Sequence, residues 1–599
     1  MNALAEPVTY RAGLPGSARG EIGRAVDADP VTTEVIRHGL NMAADAIKRT
    51  LIRTSMSPII YEVLDFAAVL YDRQIRLLAQ APSLPMFMGT MSFCIEAAVA
   101  EVGGEEALEP GDIILMNNPY RTGSHPQDAA VVMPVFLPEG ELVGYAAIKA
   151  HWLDIGAKQS YCTDTTDVFQ EGMIFPGVKL YSRGELVPDI LKMAVANSRL
   201  PRFIEGDVNA EVAGVRAGAA QLTRVIQRYG LERFNNSIER MYDHGEAIVR
   251  SYLASLPDGR YLGHGEMDDD GITTEPIPFT VTVEIDGSNV RIDFTDSPPA
   301  NRGPVNCPIA TTVSAARVII TMLAGGGQAP NEGHFRPIEV IARPGSMFHC
   351  ISPAPCFLYG WPAMQATEVI LNALAEAAPN AVCACSGGDL CSGAWYGFRE
   401  RTGEYWYDGS PHPVGQGASI HGDGQSARMH HVESATRFTA LEVAEAKNPW
   451  IMDRCELATD SGGPGKFRGG LGQDMSFRFL EDAFMIATIE RTKNAPWGLA
   501  GGLPGRPNSG ELRLPDGTVR PIAKATALPL PKGSIFTFHC GGGGGFGPPS
   551  ERDVESVLAD VQDGYITEDQ ARLHYKHAFS QHPLTSSEAP PLAVPVSLE

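Results

Sequence analysis

The chain has 599 residues, of which 44% are hydrophobic and 20% charged, and its formal net charge at pH 7 is −23. This length exceeds what one compact core usually contains, so we expect two or more domains. The acidic balance argues against nucleic acid or an anionic membrane surface as a partner, because binding to phosphate groups requires a basic surface.

Membrane insertion and secretion are not indicated by the sequence. No stretch reaches the roughly 18 to 20 consecutive apolar residues of a membrane-spanning helix. The N-terminal segment lacks the apolar core of a signal peptide. We therefore expect a cytoplasmic protein without a membrane partner. The cysteines form no CxxC pair, and Cys383, Cys385 and Cys391 fit neither zinc nor iron–sulfur spacing.

Residues 1–29 are rich in Gly, Ala and Pro, which predicts a flexible N-terminal arm. Apolar residues at helical spacing between Val35 and Leu51 predict a helix after Pro30. The segment 59–80 predicts two strands that turn at Asp72. Glu62 and Asp65 precede its first apolar run, where acidic side chains are usually solvated, so their position alone assigns them no function.

A β-hairpin is predicted after a helix at 91–102 and a strand at 112–119. DAAVVMPVFL (128–137) and LVGYAAIKAHW (142–152) flank the turn residues PEGE. If this turn is tight, Leu137 faces Leu142 and Asp128 lies opposite His151, with Cβ atoms roughly 5 Å apart. His125, in the preceding Pro-containing loop, can bend back to the same point.

Two imidazoles and a carboxylate at one point suit a divalent metal ion. The alternative for His125, Asp128 and His151 is a hydrogen-bonded His–Asp pair that caps the strand. The sequence pattern alone leaves both interpretations open.

The remaining chain divides into helical and strand-rich parts. A long irregular loop after Gly156 is of the kind that tends to be functional. Helices are predicted at 187–199 and 207–255, and a hairpin at 278–297. We place the boundary between a metal-bearing α/β domain (30–297) and a β-rich domain with terminal helices (298–579) near residue 297. Residues 580–599 are rich in Pro and Ser and are predicted to be disordered.

Several motifs do not support their usual functions. Five consecutive glycines, 541–545, satisfy GxGxxG trivially, and no second strand follows to complete a dinucleotide-binding fold. Their backbone NH groups could still cradle an anion or a loop of a partner. The Walker spacing and the GxSxG elbow are both absent from the sequence. His421, His430 and His431 are possible ligands, although such residues more often form hydrogen bonds within loops.

Seven segments in order resemble the hydantoinase B/oxoprolinase family over residues 31–579. They are DFAAVLYD (65–72), NNPYRTGSHPQDAAVVMPVF (117–136), AHWLDIG (150–156), RGPVNCPIA (302–310), NEGHFRPIEV (331–340), DSGGPGKFRGGLG (460–472) and GGGGGFGPPSERD (541–553). The resemblance implies an α+β, multidomain fold of mixed sheets with packed helices. The family includes B subunits of ATP-dependent hydantoinases and lactamases, the corresponding half of 5-oxoprolinase, and subunits of acetone and acetophenone carboxylases.

The resemblance also implies a partner and a set of ligands. Such subunits work in a hetero-oligomer with a hydantoinase A-type ATPase that binds ATP and Mg²⁺, so no nucleotide-binding residue is assigned here. Relatives that contain Mn or Zn are similar at Glu62, His125, Asp128 and His151, which makes Glu62 a fourth expected ligand. Asp65 becomes an expected active-site carboxylate.

The function implied is ATP-dependent hydrolysis of a cyclic amide of the hydantoin, lactam or 5-oxoproline type. The partner would phosphorylate the amide oxygen, and metal-bound water would attack that intermediate, with Asp154 or Asp65 as general base or as a group that orients a ligand histidine. The alternatives are a subunit of an ATP-dependent ketone carboxylase and a non-catalytic scaffold for the ATPase. Trp152 replaces a histidine that is common in the family, and we expect it to line the substrate pocket.

Overall fold

The structure is a computed structural model, and it describes residues 5–12, 28–325, 327, 329–388, 391–410 and 413–579. The predicted disordered tail, 580–599, lies outside the described residues, as does most of the predicted arm at 1–29. Within that arm, Val8–Arg11 forms a strand that pairs with Ile338–Ala342.

The described residues contain helices of very different lengths, two of which exceed twenty-four residues. The helices are Pro30–Thr54 (α1), Pro58–Tyr61 (α2), Pro85–Met88 (α3), Met91–Glu101 (α4), Pro119–Thr122 (α5), Pro188–Ala196 (α6), Pro201–Tyr229 (α7), Leu231–Leu253 (α8), Ile309–Ala324 (α9), Glu332–Phe335 (α10), Gly360–Leu374 (α11), Leu441–Lys447 (α12), Val554–Gln562 (α13), Glu568–His574 (α14) and Lys576–Phe579 (α15). None of these described helices has both the length and the apolar character needed to cross a membrane.

The strands are distributed along the whole described chain. They are Val8–Arg11 (β1), Phe66–Asp72 (β2), Leu77–Gln80 (β3), Ile113–Met116 (β4), Asp128–Phe136 (β5), Leu142–His151 (β6), Val178–Ser182 (β7), Glu185–Leu186 (β8), Gly259–Met267 (β9), Ile277–Asp286 (β10), Asn289–Asp293 (β11), Ile338–Ala342 (β12), Ser392–Phe398 (β13), Tyr405–Ser410 (β14), Trp450–Leu457 (β15), Gln473–Phe479 (β16), Ala483–Thr488 (β17), Ser509–Arg513 (β18), Val519–Pro521 (β19), Lys524–Leu530 (β20) and Ile535–His539 (β21).

Four sheets organise these strands. Their orders are β3-β2-β6-β5-β4-β7-β8, β1-β12-β11-β10-β9, β14-β13-β17-β20 and β15-β16-β21-β18-β19. The strands pair antiparallel except for β11 with β12, which are parallel. This arrangement of several mixed sheets with packed helices confirms the α+β class.

Helix α1 shows how the sequence determines a helix and its packing. Asp29 is the N-cap, where its carboxylate accepts a hydrogen bond from the Thr32 amide at 2.8 Å, and Pro30 occupies the first turn. The buried side chains recur at helical spacing and include Leu40 and Ile47, as the sequence predicts. Together with α7, α1 covers the face of the seven-stranded sheet opposite the candidate site.

The predicted hairpin is present, with Asp128 paired with His151 as expected. The expectation that Leu137 faces Leu142 was wrong by one residue. Phe136 pairs with Leu142 because a bulge interrupts the ladder after Val135. Since the bulge lies near the turn, it leaves the register at the other end of the hairpin unchanged.

Two other expectations changed in detail. The segment 59–80 begins with α2, so its first strand starts only at Phe66. The predicted helix at 207–255 is two helices, because Gly230 has a φ of 78° and ends α7. The domain boundary near residue 297 stays a prediction, although the β11–β12 pair and one continuous hydrophobic core both cross it.

The glycine run 541–545 packs against other glycine-rich segments so closely that their backbone atoms are in contact. A Cβ atom on Gly543 would lie 2.0 Å from the carbonyl oxygen of Gln416, so only glycine fits. Its amide donates to the Gly470 oxygen at 2.9 Å, and the Gly544 amide donates to the Cys385 oxygen at 2.8 Å. The idea that this run cradles an anion was wrong, because the amides of 541–545 all donate within the chain.

Candidate metal centre

Three neighbouring strands bring the candidate site together at one edge of the seven-stranded sheet. His151 ends β6 between β2 and β5, where Asp128 begins the latter strand. On the other side, the His151 amide donates to the carbonyl oxygen of Asp65 at 3.2 Å. Asp65, His151 and Asp128 are therefore side by side across the strands, and directly adjacent positions share one face of a sheet.

The expected histidine–aspartate cluster forms in the structure. Asp128 Oδ1 lies 3.1 Å from His125 Nε2 and 3.0 Å from His151 Nδ1, and the two imidazole nitrogens are 3.1 Å apart. All three side chains are buried. Two imidazole nitrogens and a carboxylate oxygen in mutual contact are a donor set that fits a zinc-like or manganese-like divalent ion.

Neighbouring groups fix how these side chains point. His125 Nδ1 lies 2.8 Å from the Phe357 carbonyl oxygen, which can only accept, so Nδ1 carries the proton and Nε2 presents its lone pair to the cluster. Tyr359 donates its hydroxyl to Asp128 Oδ2 at 2.9 Å, which leaves Oδ1 for the cluster. Such contacts orient the ligands in metal centres.

The charges at the site depend on burial and on the neighbouring groups. Burial alone would raise the pKa of the Asp128 carboxyl, but His125 and His151 outweigh it when they are protonated toward Asp128, and that pKa then lies well below its usual range. Burial raises the pKa of Asp65 to about 7, and its Oδ1 is buried without a hydrogen-bond partner among the described residues. This unpartnered carboxylate oxygen of Asp65 lies beside the cluster, where it can bind a ligand or accept a proton.

A buried lysine, Lys149, lies beneath the cluster, and burial lowers the pKa of its ammonium group. Its Nζ donates to Thr90 Oγ1 at 2.6 Å, to the Thr122 carbonyl oxygen at 3.1 Å and to Ser124 Oγ at 3.2 Å. These contacts hold the loop that leads to His125. Sequence reasoning missed this lysine, although its place two residues before His151 in an apolar strand predicts the same sheet face.

A cavity of about 120 Å³ opens over the cluster and is bounded by both halves of the chain. Its lining is largely apolar and aromatic. The residues that line it, besides Asp65, His125, Asp128 and His151, are Ile59, Val63, Leu84, Phe87, Leu153, Tyr161, Tyr359, Gly360, Trp361, Met364, Ser392, Gly393, Ala394, Tyr407, Gly409, Glu433, Thr436, Ile486 and Thr488.

Glu433 is the acidic lining residue that the sequence did not reveal. Burial raises the pKa of its carboxyl well above the usual range, and Asp65 and Asp128 raise it further. It reaches the cavity from a 3-10 turn, His431–Glu433, about three hundred residues after the hairpin. No local pattern marks it, because the contact depends on the tertiary fold.

The remaining expected site residues lie elsewhere. Glu62 is the half-buried residue that follows α2, and the structure brings it neither into the cluster nor into the cavity lining. The Asp154 carboxylate forms an ion pair with Arg199 at 2.5 Å and does not line the cavity. A ligand role for Glu62 and a catalytic role for Asp154 stay predictions.

The expectation for Trp152 was wrong. Its indole is fully buried on the opposite sheet face, where it packs against Phe175 and donates to Glu211 Oε2 at 3.3 Å. Alternation along β6 explains this placement, because the residue after His151 must point to the other side.

The sequence of this chain matches a known protein family and several named proteins. Residues 29–549 match the family described as hydantoinase B/oxoprolinase. The chain is 31% identical over 571 residues to a protein described as the B subunit of a D-/L-hydantoinase of Pseudomonas sp. (strain NS671), covering 91% of this chain and 95% of that protein. It is 30% identical over 561 residues to the beta subunit of the caprolactamase of Pseudomonas jessenii, covering 91% and 96% of the two chains.

Solved structures show the same fold. The crystal structure of the ATP-dependent caprolactamase from Pseudomonas jessenii matches with a TM-score of 0.84 and 28% identity, over 91% of this chain and 96% of that chain. A nucleotide-free acetone carboxylase structure matches with a TM-score of 0.82 and 19% identity, over 91% and 79%. At that lower identity the second match concerns the fold alone.

Proposed function

Because this chain belongs to the hydantoinase B/oxoprolinase family, we propose that it is the metal-binding subunit of an ATP-dependent enzyme that hydrolyses a cyclic amide. The observation that carries the proposal is the cluster of His125, Asp128 and His151 beneath an apolar cavity. Relatives named as subunits of a hydantoinase and a caprolactamase support this choice of substrate class.

The metal would be held by His125 Nε2, Asp128 Oδ1 and His151 Nδ1, which are already in contact. A divalent ion such as Zn²⁺ or Mn²⁺ supplies Lewis-acid polarisation and lowers the pKa of water. The fixed tautomer of His125 and the hydroxyl of Tyr359 on Asp128 keep the donor atoms directed at one point.

ATP would be used on a partner of the hydantoinase A type, which binds ATP and Mg²⁺ and phosphorylates the amide oxygen. The names of the relatives support the presence of a second subunit, because each relative is named as one subunit, B or beta, of its enzyme. Phosphorylation removes the resonance that protects the amide carbonyl, so the ring carbon becomes open to attack by water.

Residues of this chain would then accept and donate the protons of the reaction. Asp65, whose free Oδ1 lies beside the cluster, takes a proton from the attacking water as its oxygen bonds to the ring carbon. Glu433, on the cavity wall, gives a proton to the ring nitrogen. Asp65 passes its proton to the same nitrogen as the C–N bond breaks, and the hydroxyl proton of the addition intermediate returns to Glu433. The product is an acyl phosphate, which a second water hydrolyses to a carboxylate and phosphate.

The test is metal content and turnover of the chain co-expressed with its ATPase partner. His125→Ala and Asp128→Ala should each lose the metal and reduce ATP-dependent ring opening at least about 100-fold, since metal catalysis contributes several kcal/mol. His264→Ala is the matched control, because His264 is exposed and its imidazole contacts Thr280 in its own sheet. Full turnover by a metal-free Asp128→Ala enzyme would contradict the proposal.

The second candidate function is a subunit of an ATP-dependent ketone carboxylase, which the fold of acetone carboxylase favours. Bicarbonate-dependent ATP consumption with a ketone, and none with lactams or hydantoins, would decide for it. Turnover that persists after all cluster ligands are removed would instead favour a scaffold for the ATPase.

A further inference from the structure

A second group of ligand-type side chains lies behind the wall of the cavity. Glu368 projects from α11, whose first turns carry Trp361 and Met364 into the cavity lining. His430 and His431 lie at the start of the 3-10 turn that carries Glu433. The potential ligand atoms of Glu368, His430 and His431 all lie within 4.8 Å of one another, and the first two side chains are fully buried.

The tautomer of His431 follows from its neighbour. Thr367 donates its hydroxyl proton to the Met364 carbonyl oxygen at 2.7 Å, so its oxygen accepts from His431 Nε2 at 3.1 Å. A neutral imidazole carries one ring proton, so the donating Nε2 leaves Nδ1 without one. Its Nδ1 therefore presents a lone pair toward Glu368, whose Oε1 is 3.9 Å away.

The carboxylate of Glu368 faces the lone pair of His431 Nδ1. Oε1 accepts from Ser386 Oγ at 2.5 Å and from His430 Nε2 at 3.1 Å. Oε2 is buried without a hydrogen-bond partner among the described residues. A carboxylate and a lone pair that face one another offer two ligand atoms to a cation.

The spacing suits a metal ion. At metal–ligand distances of about 2.0 to 2.2 Å, two corners of a tetrahedron lie roughly 3.3 to 3.5 Å apart. The separations of 3.1 Å and 3.9 Å from Glu368 Oε1 to the two imidazoles bracket this value. His431 also lines a separate cavity of about 460 Å³, which gives an ion an entry path and leaves its fourth position open.

We propose that Glu368, His430 and His431 form a second site for a divalent transition-metal ion of the Zn²⁺ type, distinct from the cluster at His125. The proposal does not depend on the reaction assigned to the first site. On binding, the ring proton of His430 moves to Nδ1, at the expense of a 3.4 Å contact from the Val432 amide. The ion ties α11 to the turn of Glu433, and both elements form the cavity wall.

The test is the stoichiometry of metal bound to the purified full chain. The chain is stripped with a chelator, loaded with Zn²⁺, freed of excess ion and analysed by elemental analysis. We expect two ions per wild-type chain, and one in each of His431→Ala, Glu368→Gln and Asp128→Ala. The His421→Ala chain should keep two, because His421 is exposed and its imidazole contacts the Asn380 carbonyl oxygen.

Cobalt gives a second readout that does not depend on activity. Tetrahedral Co²⁺ absorbs in the visible range, so titration of the Asp128→Ala chain should still produce that band, and the further change Glu368→Gln should abolish it. Glu368→Gln nearly preserves side-chain shape, and circular dichroism checks that it folds. A wild-type chain that binds a single ion, or a folded Glu368→Gln chain that still binds two, would overturn the proposal.

Discussion

Two residues outside the proposed ligand set orient the side chains of the first cluster. The Phe357 carbonyl fixes the tautomer of His125, and the Tyr359 hydroxyl occupies Asp128 Oδ2. Both belong to one short segment before α11. The affinity for metal should therefore depend on residues more than two hundred positions away from the ligands themselves.

Removal of the Tyr359 hydroxyl tests this dependence. Tyr359→Phe keeps the ring but frees Asp128 Oδ2, so we expect the affinity for Zn²⁺ to fall roughly 10- to 100-fold. The dissociation constant is measured by competition with a coloured chelator. Tyr261→Phe is the control, because its hydroxyl also donates to a carbonyl, that of Pro257, far from the cluster. Equal affinities in Tyr359→Phe and wild type would rule out the orienting role.

At the scale of elements, the irregular loop after Gly156 anchors that same short segment. Glu171 Oε1 accepts from the amides of Cys356 and Phe357, each at 2.9 Å, and from Thr165 Oγ1 at 2.8 Å. The loop and the residues before α11 are thus joined through one buried carboxylate. The expectation that this long loop has a function is consistent with this place beside the cluster.

The carboxylate of Glu171 also makes stability depend on pH. Burial raises its pKa from 4.5 to about 7, against the opposing hydrogen bonds from Cys356 and Thr165. A raised pKa means that its contribution to stability is fully present below pH 4.5 and is lost as the pH rises through about 7. The free energy of unfolding should therefore fall over this window by at most about 3 kcal/mol from this group.

Glu171→Gln should flatten that decline, because an amide does not titrate. Thermal unfolding midpoints of wild type and variant are compared from pH 5 to pH 8, and the difference between the two curves reports Glu171 even though Asp65 titrates in both proteins. Glu185→Gln, at an exposed position in β8, serves as the control. Parallel curves for wild type and Glu171→Gln would contradict the assignment.

At the scale of the molecule, the cavity needs both halves of the chain. The cluster comes from residues 125–151, whereas Tyr359, Tyr407 and Glu433 close the opposite side. Strand β12 also lies between β1 and β11, so the second sheet contains residues from both sides of position 297. The two proposed domains therefore share a sheet, a core and a site.

Separate expression tests how independent the halves are. A chain of residues 28–297 exposes the edge of β11 and the apolar faces that pack against α9 and α11, so we expect it to aggregate and to show no cooperative unfolding. Co-expression with residues 298–579 should restore a soluble complex. A soluble monomer of 28–297 with a sharp unfolding transition would instead support the domain boundary at 297.

Local sequence patterns predicted part of this architecture, and the rest depends on contacts between segments that are far apart in the chain. Alternation and turn residues are local, so they predicted the pairing of Asp128 with His151. Strand order is not local, so no local pattern predicted that β2 would bring Asp65 beside His151, and only the family resemblance made Asp65 an expected active-site carboxylate. Glu433 and Tyr359 depend on how distant segments pack, and only resemblance to a family could link such segments without a structure.

The glycine-rich packing around 541–545 has a consequence for how the protein opens. These residues form neither helix nor strand, yet they are buried, and their amides all donate to oxygen atoms of neighbouring segments. Amide hydrogens held in this way exchange with solvent only when the surrounding structure separates. Isotope exchange at this run should therefore be as slow as in the central strands, so a segment that resembles a loop would report on unfolding of the whole C-terminal region.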